Sequence, residues 1–175
     1  MRMPILKNSK PRVWRRKPKA KARRARRADM QSIKLTRQSP FTAQQMFELI
    51  CDVDNYDGFI PYCTAARVRE RSDTQMTADL AIGYKFLRET YTSRIEMGDA
   101  PLSVTVKQAK GPFRHLFNQW QFVDKPEGGC EVHFELQFEF NVPLLRRVLQ
   151  PMMGKVVERF VAAFEDRARE IYTEK

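Results

Sequence analysis

From Glu131 to Phe140 the chain alternates without a break. Val132, Phe134, Leu136, Phe138 and Phe140 share one parity, and Glu131, His133, Glu135, Gln137 and Glu139 share the other. Side chains of a strand point to its two faces in turn, so this run fits a strand with one buried and one wet face. A helix would scatter the same residues around its circumference. A slip of one residue would expose all five apolar side chains together, so the register is strongly specified.

Weaker copies of the pattern precede it. Ile33–Arg37 alternates, and Met76, Ala78, Leu80, Ile82, Tyr84 and Phe86 occupy every second position. Tyr91, Ile95 and Met97 form another inward row, opposed by Arg88, Thr90, Thr92, Arg94 and Glu96. Leu102, Val104 and Val106 form the next, while Leu116, Trp120 and Phe122 mark theirs only in part. Gly98–Pro101 and Lys125–Gly129 carry the turn residues that join hairpins. Two helices bracket these strands. The first opens at Thr42, with Gln45 completing a capping box, Phe41 and Met46 a hydrophobic staple, and Met46, Leu49, Ile50 and Val53 an apolar face. Asp52–Gly58 stops it with turn formers. The second begins as a short piece, Leu144–Leu149, after Pro143; Pro151 kinks or restarts it, and Met153, Val157, Phe160, Phe164, Ala168 and Ile171 follow at helical spacing. Met152, Val156 and Val161 widen that stripe, so the helix must lie across a large apolar surface. The concave side of the sheet is the surface available. The fold class is therefore α+β: a curved antiparallel sheet wrapped around a long C-terminal helix, with room between them for an apolar ligand.

Charge divides the chain in two. Of the 32 lysines and arginines, 13 fall within residues 1–30, where Asp29 is the single acid; residues 31–175 hold the other 19 against 20 acids. The basic character thus belongs to an arm over residues 1–30, and the domain over 31–175 is close to neutral. The arm's core is Arg15, Arg16, Lys17, Lys19, Lys21, Arg23, Arg24, Arg26 and Arg27, interrupted by Pro18. Like charges repel along it and it has almost no apolar face, so it is expected to be disordered until an anionic partner orders it. Three readings stay open: a mitochondrial presequence, an arm for RNA or anionic lipid, or a solvated tail. No apolar run reaches the roughly 18 residues of a transmembrane helix. Cys51, Cys63 and Cys130 show no paired or metal-ligand spacing and read as buried free thiols of a reducing compartment.

Gly111–Phe122 (GPFRHLFNQWQF) has a large aromatic content and no catalytic group. Together with Asp52–Tyr56, Phe59–Cys63, Ala78–Phe86, Glu89–Arg94, Phe138–Phe140 and Ala163–Ala168, in this order and spacing, it resembles the coenzyme Q-binding protein family of the polyketide cyclase/START-like superfamily. The resemblance covers about residues 31–173. It implies a helix-grip (START/Bet v 1-like) fold whose cavity binds ubiquinone or its isoprenoid tail as a ligand, with no cofactor. The implied role is support of respiratory electron transport and quinone biosynthesis, on the matrix side of the mitochondrial inner membrane and in peripheral contact with it. The bacterial branch of the same family includes a cytoplasmic ribosome association toxin, described as binding the large ribosomal subunit. The compact bacterial form starts near the first strand, so the arm here is a departure from it. The second reading is accordingly a ribosome or rRNA partner held through residues 1–30.

Within that frame the expected lining of the ligand site is Phe113, Leu116, Trp120, Phe138, Phe140, Leu149, Met152, Met153 and Val156, because aromatic and methionine side chains suit a chain of repeating apolar units. Phe59, Ile60, Pro61 and Tyr62 form a candidate membrane-touching lid. No catalytic residue and no metal ligand set is expected. His133 alternates with glutamates on the wet face, His115 has no nucleophile motif beside it, and Glu89 and Arg94 are expected to pair with charges across the sheet.

Overall fold

The strongest alternation becomes β7 (Cys130–Phe140), second in a seven-stranded antiparallel sheet of order β1-β7-β6-β5-β4-β3-β2. The computed structural model describes residues 30–173, so the boundary and arm assigned to residues 1–30 lie, but for Met30, outside the described residues. The other strands are β1 (Gln31–Ser39), β2 (Cys63–Arg71), β3 (Gln75–Tyr84), β4 (Leu87–Asp99), β5 (Leu102–Lys110) and β6 (Phe113–Asp124). The helices are α1 (Ala43–Cys51), α2 (Pro143–Leu149) and α3 (Met153–Thr173), with 3-10 segments at Val53–Gly58 and Gln150–Met152. This is the expected α+β helix-grip arrangement.

Helix α1 starts where its caps dictate. The Thr42 hydroxyl accepts from the Gln45 amide at 3.2 Å, and the Gln45 side chain accepts from the Thr42 amide at 2.9 Å. Asp124, at the end of β6, accepts a further first-turn amide from Ala43 at 2.7 Å, which pins the helix to the sheet. Pro151 falls in the 3-10 segment between α2 and α3, where its missing donor costs no helical bond. α3 buries Val157, Val161, Phe164 and Ala168 against the sheet.

Three departures from strict alternation shape the interior. A bulge between Phe113 and His115 shifts the pairing of β6, so Phe113, Leu116, Asn118 and Trp120 all line the concave side despite their mixed parity. Phe86, expected as the last inward residue of β3, is instead 71% exposed. The strand ends at Tyr84 because Lys85 takes a left-handed φ of 52° and reverses the chain. Near the C-terminus Ile171 is 37% exposed, and Tyr172 makes the contact in its place: its ring lies 5.6 Å from Phe41 and its hydroxyl donates to the Gln45 carbonyl at 3.0 Å.

Antiparallel register places the connections at two opposite ends. Residues 59–62, the β3–β4 turn, the β5–β6 turn and the β7–α2 connection share one end, as does the start of β1, where Gln31 faces Phe138. The β2–β3, β4–β5 and β6–β7 turns share the other.

Candidate functional site

Between the concave sheet and α3 lies a cavity of about 210 Å³. Its floor is aromatic. Trp120 is 2% exposed and its ring lies 4.5 Å from Phe134, 5.4 Å from Phe164 and 6.0 Å from Phe160. Its walls are Leu80, Ile82, Ile95, Val104, Val106 and Leu136 from the sheet and Met153, Val156 and Val157 from α3. Its lining reaches the end that carries residues 59–62 through Pro61, Tyr62, Tyr84, Leu87, Pro112, Phe113, Leu145 and Leu149 and does not reach the opposite end, which places its mouth at the former. An apolar cavity of about 150 Å³ is enough to take up a benzene. This cavity thus has room for one ring and little more than a short stretch of chain; the rest of a long ligand must leave through the mouth.

Polar groups in this lining are few and specific. Ser93 is fully buried and its Oγ has no hydrogen-bond partner; Asn118 Oδ1 is likewise buried and unpartnered. Both face the cavity at mid-depth, below Tyr91, whose hydroxyl burial holds well above the ordinary tyrosine pKa. Leaving such groups unpaired costs about 1–3 kcal/mol each, so they mark the place where a ligand's polar head would be received. Glu89 also lines the cavity, close to the mouth, and makes no ion pair among the described residues. The cross-sheet charge pairing expected for Glu89 and Arg94 is therefore not formed: the parity of β4 turns Glu89 inward, and Arg94 is exposed on the other face.

Of the residues expected to line the site, Phe113, Leu116, Trp120, Phe140, Leu149, Met153 and Val156 do border the cavity. Phe138 and Met152 do not. Phe138 is 1% exposed, but its ring packs 5.5 Å from Phe140 as solid core. Met152 lies in the 3-10 segment before α3 and is not among the residues that line the cavity. The expected lid divides in the same way. Ile60 is buried at 5% and lines the cavity with Pro61 and Tyr62. Phe59 lies on the outside, with its ring 5.3 Å from Phe164 and under the Arg167 guanidinium. Tyr62 holds a left-handed φ of 68°, uncommon for an aromatic residue. Several contacts fix it there: Gly83 donates its amide to the Tyr62 carbonyl at 2.8 Å, Arg159 donates to its hydroxyl at 2.8 Å, and the Tyr84 ring sits 5.3 Å away. The segment is a packed rim. The nine arm cations lie outside the described residues.

The sequence reading assigns Glu89 to a charge pair and gives Ser93 no role, although both share the inward parity of Tyr91 and Ile95. Asn118 carries the same signal, because it shares the parity of Leu116, Trp120 and Phe122; the bulge between Phe113 and His115 shifts only the residues before it. His115 is exposed, and His133 pairs with Glu131 at 2.9 Å on the outer face. No group of His, Cys, Asp and Glu among the described residues could hold a metal ion.

The three cysteines are free and buried. Burial pushes Cys51 and Cys130 up to about 11 and raises Cys63 as well. Because the thiolate is the reacting species, thiol-labelling of the folded protein at pH 8 should be slow at all three and complete only on unfolding. The same shifts make stability fall as pH rises from 9 through about 11, since the unfolded thiols ionise first. Fast labelling at pH 8 would show that these side chains are open to solvent.

A family model for polyketide cyclase/dehydrase and lipid transport matches residues 39–165. The chain belongs to that family. It is 31% identical to the ribosome association toxin RatA of Escherichia coli K12 over 144 residues, which is 82% of this chain and 90% of that one. It is also 31% identical to the mitochondrial coenzyme Q-binding protein COQ10 homolog B of Xenopus laevis over 137 residues, 75% of this chain and 55% of the relative. The Zhui aromatase/cyclase from Streptomyces shares the fold, with a TM-score of 0.73 at 15% identity over 83% of this chain and 98% of its own. The matched span in this chain runs from the last residue of β1 into α3 and so includes every strand and helix that borders the cavity.

Proposed function

We propose that the protein binds ubiquinone, or an isoprenoid lipid with a similar polar ring, and carries it without chemical turnover in support of respiratory electron transport and quinone biosynthesis. One observation supports this above the rest: an apolar, aromatic-floored cavity that holds two unpartnered polar groups at mid-depth. A benzoquinone ring has apolar faces for Trp120 and Phe134 and a carbonyl oxygen that accepts from the Ser93 hydroxyl, while Asn118 Oδ1, an acceptor, suits a hydroxyl of the reduced quinol. The isoprenoid tail then points to the mouth. Each buried CH₂ contributes roughly 0.8 kcal/mol, so one or two isoprene units supply several kcal/mol without a covalent step. A relative named for coenzyme Q binding, and relatives not named as enzymes, agree with a carrier.

Trp120 can report the binding directly once Trp14→Phe removes the chain's other tryptophan. A ubiquinone with two isoprene units should quench Trp120 fluorescence saturably, and Leu116→Trp combined with Trp120→Phe should block uptake by filling the cavity. Quenching no greater than that of free tryptophan, together with no quinone in the organic extract of protein from its native source, would sink the reading.

A second reading is favoured by a separate observation: 13 cations against one acid in residues 1–30. Such a segment suits the phosphates of large-subunit rRNA, and the Escherichia coli relative is named for ribosome association. On that reading the full chain cosediments with ribosomes in low salt, and both raised salt and removal of residues 1–30 release it.

A further inference from the structure

We propose that the mouth end of the sheet docks on an anionic lipid bilayer, with Phe86 and Leu144 entering the apolar layer and Lys85, Arg88 and Arg147 resting on the headgroups. Isolated exposed apolar residues are ordinary, but these two lie at the same end of the fold, on elements that both border the cavity mouth. Phe86 is 71% exposed at the β3–β4 turn, between the mouth residues Tyr84 and Leu87; Leu144 is 51% exposed on α2, beside the mouth residue Leu145. The hairpin tip is held firmly. Arg88 donates to the Lys85 and Leu87 carbonyls, each at 2.8 Å, and the Lys85 ammonium lies 5.6 Å from the Tyr84 ring centre. A rigid aromatic tip with a cation on either side fits the boundary where anionic headgroups meet acyl chains.

Charge is arranged to match. The turns and α2 at this end carry Lys85, Lys110, Arg146 and Arg147, with Arg88 and Arg114 just inside, and no acid on the connecting residues. Glu89 lines the cavity wall, and Glu139 is buried beneath Arg114, which contacts it at 2.6 Å. The opposite end carries Asp73 and Glu127 in its turns and Asp99 and Asp124 at the ends of β4 and β6, against the cations Lys125 and Arg71, the last residue of β2. A near-neutral domain with this polarity is turned mouth-first toward a negative surface. The basic arm joins the fold at that end too, because β1 begins opposite Phe138, near the end of β7. Nucleic acid offers the phosphates and a use for an aromatic tip, but nothing for the exposed Leu144.

The purpose of this docking rests on the carrier reading: a cavity of about 210 Å³ receives the head of a long isoprenoid while its tail stays in the bilayer. The geometry does not rest on it. Because the three native thiols are buried, an environment-sensitive dye can be placed by Phe86→Cys, Leu144→Cys or Asp73→Cys in the full chain. With vesicles of phosphatidylcholine and phosphatidylglycerol, the first two labels should shift to the blue and brighten, and the third should not. Phe86→Asp with Leu144→Asp should lower vesicle-bound protein roughly tenfold or more at a salt concentration that screens the arm, while leaving Trp120 quenching by the short-tailed ubiquinone in detergent unchanged. No shift at either mouth label, with binding wholly removed by salt, would overturn the proposal and leave the arm as the only anchor. A shift at residue 86 but not 144 on adding an rRNA fragment without vesicles would also overturn it and assign the surface to nucleic acid. Blue shifts without any quinone quenching would keep the docking and discard the carrier.

Discussion

Phe164→Ala should lower stability by about 3–5 kcal/mol. Phe164 is 1% exposed and its ring meets Tyr56 and Phe59 at 5.3 Å, Trp120 at 5.4 Å and Phe160 at 5.2 Å. It joins three layers: the 3-10 segment after α1, the helix α3 and the sheet. Truncation removes the transfer free energy of the ring and leaves a void beside a cavity that already exists, so the surroundings have little material with which to collapse. For a domain of this size the melting temperature should drop on the order of 10 °C or more, read by calorimetry. Phe86→Ala is the control: the ring is exposed, and the change should stay within about 0.5 kcal/mol. A small shift for Phe164→Ala would mean that α3 is not seated on the sheet through this ring.

Ser93→Ala should act in the opposite direction on stability and against binding. The hydroxyl is fully buried without a partner, so its removal should stabilise the ligand-free protein by about 1–2 kcal/mol. The denaturant midpoint should rise with the slope unchanged. Affinity for a short-tailed ubiquinone should fall roughly tenfold, the loss of about one hydrogen bond, while affinity for a prenyl hydrocarbon of the same length stays level. Destabilisation instead would show that the hydroxyl already has a partner in the folded protein and is not held for a ligand. Equal loss for both ligands would point to a shape change and away from head recognition. The opposed signs separate a residue kept for binding from one kept for folding.

Much of the fold is written in parity. The unbroken alternation of 131–140 places Phe134 and Leu136 on the concave face, and the same rule, applied strictly to β4, would have turned Glu89 and Ser93 inward. The capping box at Thr42 and Gln45 sets the start of α1, and the spacing of Val157, Phe164 and Ala168 sets the buried face of α3. These are local rules, each satisfied within one or two turns or strands, so a single chain reveals them. The segregation of charge into residues 1–30 is equally legible, because it is a count.

Tertiary structure decided the site. Phe113 lines the cavity beside Leu116, Asn118 and Trp120 only because the bulge between Phe113 and His115 advances the strand by one residue, and a bulge is chosen by the partner strand. Phe138 and Phe140 have the same parity, yet one is solid core and the other lines the cavity, because the helix spans the hollow of the sheet at one place and closes it at another. Phe86 continues the apolar row of β3 in sequence but stands in solvent, because the chain reverses at Lys85 before it can be covered. The volume of the cavity and the choice of the end at which it opens are sums over all seven strands and the helix. Side-chain pattern says which face of each strand is dry; only the curvature and register of the assembled sheet say how much of that dry space the protein's own side chains leave unfilled.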